Sequence, residues 1–319
     1  MGNGDNSSAA CGGFLSHTYR TSGLIGCARK IIAGIQMKVA PLILRRRTNR
    51  SVGAYFDLVT DDGRMFYGDN FHFGFFHEGA TTLDDALDAH TDMVARMAKF
   101  GDAERILDIG CGICAPAVRI ANTYGGHITG INISREQVRQ AKLLVDKECL
   151  TDRIDVREGN ALDLDFENES FDSLLCLEVA GDICVTETQK KKFIDEVYRV
   201  LKPGGHIGFS DLTFTGCPSS KEEKAMKMIL YHEGHELITD WSDFFQKRGF
   251  EIMEEHDMIE HTMSTWDHFI AVYEERRNEV EARYGKRIAA QSIENLKRLP
   301  EILQKYGSFP VISARKPAA

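Results

Sequence analysis

From Arg105 to Phe214 the chain alternates short apolar runs with amphipathic ones, and this alternation narrows the fold more than any other feature. "RILDIG" (105–110) reads as a buried strand ending in glycine, and "APAVRIANTY" (115–124) as a helix that tolerates Pro116 in its first turn. "HITGINI" (127–133) is a strand. "SREQVRQAKLLVDKECL" (134–150) is a helix capped by Ser134, with Gln137 in the capping-box position. "RIDVREGNA" (153–161) and "SFDSLLCLE" (170–178) are further strands. "ETQKKKFIDEVYRVLKPGG" (187–205) is a helix closed by Lys202-Pro203-Gly204-Gly205, and "HIGFSDLTF" (206–214) a fifth strand. Strands separated by helices predict a mainly parallel, doubly wound α/β sheet with helices on both faces.

The flanks extend this frame. Residues 51–76 are aromatic and loop-rich, and 81–100 are helical behind an N-cap at Thr82. After Gly216 the text is helical and charged, with helices at "EEKAMKMILYHE" and 238–250, an edge strand at 251–259, mostly helix over 265–307 and a last strand at 308–316. No internal repeat is evident.

The loop after the first strand, "DIGCGICAPA" (108–117), carries three overlapping patterns. Cys111 and Cys114 form a C-x-x-C, but there is no second one to complete a zinc site. Their position at a helix N-terminus would favour thiolates and a redox role. Gly110, Gly112 and Ala115 form a G-x-G-x-x-A dinucleotide fingerprint. Three features speak against that. Asp108 precedes the glycines, where a carboxylate would repel a pyrophosphate. Asn132 stands where the ribose-binding acid belongs. The elements "FDSLLCLE" and "VLKPGG" have no part in the fingerprint. In the third pattern, Asp108-x-Gly110-x-Gly112, the glycines admit a ligand and the carboxylate suits one with a cationic end.

Leu107-Asp-Ile-Gly-Cys-Gly112, Gly159-Asn-Ala161, Phe171-Asp172 and Val200-Leu-Lys-Pro-Gly-Gly205 together resemble the class I S-adenosylmethionine-dependent methyltransferases over roughly residues 51–316. "GDNFHFGFF" (68–76), "GINISREQ" (130–137) and "YGSFPVISARKP" are similar to the branch acting on small molecules. That branch includes antibiotic-sugar O-methyltransferases, sarcosine/dimethylglycine and phosphoethanolamine methyltransferases; sterol methyltransferases share the "FHF" element. The resemblance implies a Rossmann-like, seven-stranded sheet with a helical lid or cap. It implies S-adenosylmethionine as cofactor and S-adenosylhomocysteine as product. Tyr55, Asp108, Gly110, Cys111, Gly112, Asn132, Gln137, Asn160, Ala161 and Glu178 become the implied cofactor contacts, and 71–74 the lid.

In the sugar O-methyltransferases a histidine base follows the position of Glu178; here Asp182 takes its place, and Asp211 matches a second acidic residue. His72 is a third candidate catalytic group. Paired carboxylates hold a cation better than they deprotonate an alcohol. The expected reaction is therefore methyl transfer to a small amine. The alternatives are a small-molecule or sugar O-methyltransferase, or a lipid or sterol C-methyltransferase. The spacing of "HEGH" (232–235) is not that of a zinc motif, and no metal is expected.

The net charge of −9 argues against a nucleic-acid partner. Residues 1–50 are the exception, holding eight basic side chains and one acidic one. This basic N-terminal arm reads as a transit peptide or, through 24–47, as a helix lying on a membrane surface. The body then spans 51–319, with the cofactor core at about 83–214 and a substrate cap inserted at about 217–305. Eight scattered cysteines predict free thiols and an intracellular setting, cytoplasmic or organellar.

Overall fold

A computed structural model describes residues 48–77, 79–230 and 239–318. The expectations for the N-terminal arm through residue 47, including the basic stretch 24–47, lie outside those residues, as does the "HEGH" segment at 232–235. No helix among the described residues is long and apolar enough to cross a membrane.

The chain opens with α1 (Asn49–Tyr67) and α2 (Leu83–Met97), then runs β1 (Arg105–Ile109), α3 (Ala115–Thr123), β2 (His127–Asn132), α4 (Arg135–Lys147), β3 (Ile154–Glu158) and β4 (Phe171–Leu177). It continues through α5 (Ala180–Ile183), α6 (Glu187–Val200), β5 (Leu201–Ser210), β6 (Thr213–Phe214), α7 (Ser220–Ile229), α8 (Trp241–Arg248) and β7 (Glu251–Asp257). The last elements are α9 (Ile259–Glu275), α10 (Arg277–Tyr284), α11 (Lys286–Tyr306), β8 (Gly307–Ser308) and β9 (Pro310–Arg315).

Seven strands form one sheet in the order β3-β2-β1-β4-β5-β9-β7. β1 to β5 are mutually parallel, and β9 runs antiparallel to both β5 and β7. This is the expected mainly parallel, Rossmann-like sheet. The central strands β1, β2 and β4 are buried on both faces, as crossover helices require. Ile106 faces one apolar cluster with Val94, Ala117 and Ile128, while Leu107 and Ile109 face the other with Phe193, Ile207 and Phe245.

Two elements differ from the sequence reading. Residues 51–76 are not mainly loop: α1 occupies 49–67, capped by Thr48, whose hydroxyl accepts from Ser51 N at 3.2 Å. Two glycines obscured it, because glycine weakens a helix. Here they permit close packing. A Cβ on Gly63 would lie 2.6 Å from the Phe71 ring, and one on Gly53 would lie 2.8 Å from Ile133 O. The second difference is that α6 stops at Val200, and Lys202-Pro203-Gly204-Gly205 opens β5 instead of closing the helix. Proline disfavours helical geometry at the residue before it, so Leu201 and Lys202 are already extended.

The stretch 217–305 divides between two tasks. α7, α9, α10 and α11 form a cap, joined to α1 through contacts of Phe66 and Tyr67 with Phe269. α8 instead packs under the sheet, with Trp241 and Phe245 against Phe209, and β7 is the sheet's edge.

The seat of α2 on β5 has no spare room. A Cβ on Gly208 would lie 2.5 Å from Val94 O and 2.8 Å from Val94 Cγ1. Gly208→Ala must therefore push α2 off the sheet, and overpacking of this kind costs about 1–3 kcal/mol. Urea denaturation is expected to show that loss; an unchanged midpoint would contradict this packing.

Candidate functional site

β1 and β4 are neighbours in the sheet, yet their chain connections leave in opposite directions, toward β2 and toward β5. A crevice opens at such a switch point, at the carboxyl ends of the strands. Gly110 and Gly112 line it with φ of +74° and +55°, values that favour glycine. A Cβ on Gly110 would come within 2.2 Å of Val179 Cγ2, so the loop after β1 lies directly against the loop after β4. Glu178, just before Val179, has φ +53°, a strained conformation for a side chain of this kind. Its Oε1 accepts from Phe73 N at 2.6 Å.

A cavity of about 430 Å³ fills this crevice. Of the sequence-predicted residues, Tyr55, Gly110, Gly112, Asn132, Gln137, Asn160, Ala161, Glu178, Asp182 and Asp211 line it. Asn132 is explained by its bonds. Its Oδ1 accepts from Ser134 N at 2.9 Å, while its Nδ2 donates to Gln137 Oε1 at 2.8 Å and to Gly112 O at 3.4 Å. A carboxylate could not donate those last two, so the amide ties the glycine loop to the start of α4. The Gln137 side chain serves Asn132 here, and Ser134 caps α4 with its hydroxyl accepting from Gln137 N.

Three predicted residues stand outside the cavity wall. Cys111 is buried, and its sulfur points at β2 instead: a Cβ on Gly130 would meet Cys111 Sγ at 3.0 Å and Cys114 Sγ at 3.3 Å. Contact with Cys114 and burial push the Cys111 thiol well above its ordinary range, which reverses the expectation of a stabilised thiolate at Cys111. Cys111 serves the loop through its backbone, where its N–H donates to Ile131 O at 3.0 Å.

His72 is not at the reacting end either. It is buried against His90, ring centroids 4.9 Å apart, and burial pulls it down to about 4. Both Nδ1 atoms lie within hydrogen-bond distance of Phe73 O, at 3.0 Å from His72 and 2.7 Å from His90. A carbonyl only accepts, so both Nδ1 atoms carry the proton. The pair fastens Phe73, whose own N–H holds Glu178. His90 was not singled out in the sequence, since a lone histidine inside "LDDALDAHTDMVARM" reads as any helix position.

Asp108 lies beneath the loop, 3% exposed, and its Oδ2 has no hydrogen-bond partner among the described residues. Burial alone pushes it up to about 7. Every charged side chain lining the cavity among the described residues is acidic: Asp62, Glu178, Asp182 and Asp211. Asp211 is fixed by Gly181 N at 2.6 Å and Leu212 N at 2.8 Å. Burial, opposed by the Phe73 N–H and helped by Asp211 and Asp182, pushes Glu178 well above the usual carboxylate range. Such a wall is wrong for a pyrophosphate and right for a cationic ligand. S-adenosylmethionine, with its sulfonium and ammonium, fits this donor set, and Asp108 Oδ2 is an unmatched acceptor beside it.

The family model described as mycolic acid cyclopropane synthetase matches residues 45–298. The chain is 27% identical over 226 residues to 27-O-demethylrifamycin SV methyltransferase of Amycolatopsis mediterranei (strain S699), covering 70% of this chain and 82% of that protein. It is 32% identical over 161 residues to the sterol 24-C-methyltransferase ERG6A of Gibberella zeae, covering 50% of this chain and 41% of that protein. Among solved structures it is similar to the mycolic acid cyclopropane synthase CmaA1 complexed with SAH and CTAB. There the TM-score is 0.72 at 19% identity, covering 85% of this chain and 98% of that one.

The raised Asp108 makes a signed prediction. Its ionisation is disfavoured in the ligand-free fold, so its contribution to stability is full below pH ~4 and is lost as pH rises through about 7. A cationic ligand favours the ionised form. S-adenosylmethionine affinity is thus expected to rise between pH 6 and 8 and to level off above. Asp108→Asn should bind more weakly and lose this extra slope. Calorimetric titrations of both proteins at several pH values check it; parallel profiles would exclude a charge role for Asp108.

Proposed function

The chain belongs to the mycolic acid cyclopropane synthetase family and is an S-adenosylmethionine-dependent methyltransferase, and from that premise we propose that its acceptor is the nitrogen of a largely apolar amine. The observation that carries this reading is the wall of the cavity. Glu178, Asp182 and Asp211 gather at the glycine-loop end, while Phe66, Trp266, Phe269, Val280 and Leu296 from α1 and the cap add a broad apolar surface.

When bound, the cofactor supplies an electrophilic methyl group. The chain's own residues must present a lone pair, hold it in line and keep water away. An amine enters mostly as ammonium, which the carboxylates attract, and it must give up a proton before it can react. Glu178 is the group suited to accept that proton. Its raised affinity for protons makes it a stronger base than an exposed carboxylate, and Phe73 N fixes its Oε1. Tyr67, pushed up by burial and by Glu178 and Asp182, stays a neutral phenol on the same wall. Asp182, beside Glu178, holds the cationic head. The aromatic rings of Phe71, Phe73 and Trp266 add faces against which a cation rests favourably. The solved CmaA1 structure is a complex with SAH and CTAB, an alkylammonium, and that pairing supports the reading.

Isotope-labelled S-adenosylmethionine offered with dodecylamine, dodecanol and a sterol decides among nitrogen, oxygen and carbon. Label is expected on nitrogen. Asp182→Asn should raise the KM for dodecylamine about tenfold or more, the range for losing a charge-assisted contact, while the cofactor Kd changes little. Label confined to a hydroxyl or a carbon would overturn the amine reading.

A further inference from the structure

The cavity has a second polar pole, away from the three carboxylates. One face of α1 runs along the cavity: Val52, Tyr55, Phe56, Val59, Asp62, Gly63 and Phe66 recur at three- and four-residue spacing. Over this stretch a helix rises about 20 Å. All but Asp62 on this face are apolar, aromatic or glycine. From the cap, α10 brings Tyr284, whose hydroxyl hydrogen-bonds Asp62 Oδ2, and Arg283, whose guanidinium pairs with Oδ1. Tyr284 lines the same cavity, and so do the apolar Val59, Phe66, Leu230, Val280 and Leu296.

A carboxylate in such surroundings is costly, and burial does push Asp62 upward in spite of Tyr284 and Arg283. The two poles are held by different parts of the fold: Asp62 by Tyr284 and Arg283 of the cap, Glu178 by Phe73 N and Asp211 by Gly181 N at the ends of the strands. An apolar wall between them would bind hydrocarbon without any help from Asp62.

We propose that Asp62 and Tyr284 form a specificity subsite that reads a hydroxyl group on the far end of the acceptor from the reacting nitrogen. The carboxylate accepts from that hydroxyl, and the phenol can donate or accept. Asp62 comes from α1 and Tyr284 from the cap, so the subsite is complete only when the two lie together. It rests on the apolar cavity being the acceptor site, and it selects for length as well as for the polar terminus. A merely structural Asp62–Tyr284–Arg283 staple would hold α10 to α1 but would be indifferent to what the acceptor carries.

The test uses the full chain loaded with S-adenosylhomocysteine and a series of ω-hydroxyalkylamines from four to twelve carbons, each paired with its plain alkylamine. Binding is read by calorimetry and by the fluorescence of Trp266, one of only two tryptophans and the one on the cavity wall. At one preferred length the hydroxylated probe is expected to bind about tenfold more tightly than its partner. In turnover the preference should appear in KM and not in kcat. In Asp62→Asn and in the milder Tyr284→Phe, the ratio between the two probes should fall toward one. A ratio that stays put in both variants, or that never departs from one at any length, overturns the proposal. α,ω-Diols against alkanols, run in parallel, separate the two readings. If amines fail altogether but diols keep the length-dependent, Asp62-dependent preference, the amine assignment falls and the subsite stands.

Discussion

Nothing larger than a hydrogen atom fits on the Cα of Gly110. Val179 occupies the space, and the backbone there has a positive φ. This single approach brings the ends of β1 and β4 together, and the working parts of the site depend on it. Asp108 is two residues before Gly110, and Glu178 is the residue before Val179. Asp182 and Gly181 follow in the short helix α5, where Gly181 N holds Asp211 at the end of β5. Moving the glycine loop outward by the width of a methyl group would separate the carboxylate beneath the loop from those beside it.

Phe73 is the second point on which the geometry turns. Its carbonyl meets two buried histidines and its amide meets Glu178, so one peptide segment couples the lid to the sheet. His90 also reaches β5, with Nε2 2.8 Å from Ser210 Oγ. Burial keeps both imidazoles in the neutral form, which is what lets each protonated Nδ1 face the carbonyl. The residue chosen from sequence as a catalytic candidate, His72, thus acts on the site only through Phe73.

What could be read from sequence and what could not have a common physical basis. The sheet was legible because buried parallel strands are continuous apolar runs and their crossovers carry helical periodicity, a pattern repeated from β1 to β5. The glycine loop was legible because its chemistry is local: an acid and two glycines within five residues. α1 was missed because Gly53 and Gly63 obey tertiary contacts with Ile133 and Phe71 that have no local signature. His90 and Asp62 were missed for the same reason. Their partners are 17 and 222 residues away, at Phe73 O and Tyr284, and nothing near them in the chain announces the pairing. Cys111 was misread in the opposite sense. Its local setting, a helix N-terminus, favours a thiolate, but the tertiary setting places the sulfur in the core against β2, and burial prevails.

The charge of the cavity gives these pieces a common logic. Four carboxylates line an apolar hollow with no basic side chain on its wall among the described residues, and a fifth lies buried at Asp108. Packed this way, carboxylates repel one another and lose hydration, so the ligand-free site is electrostatically unfavourable. A cationic ligand relieves that repulsion. Its binding free energy therefore contains the release of stress built into the fold, in addition to the contacts it makes. Asp62 answers to a different balance: Tyr284 and Arg283 reach it across the junction of α1 and the cap, and that pairing offsets part of the cost of burying its charge.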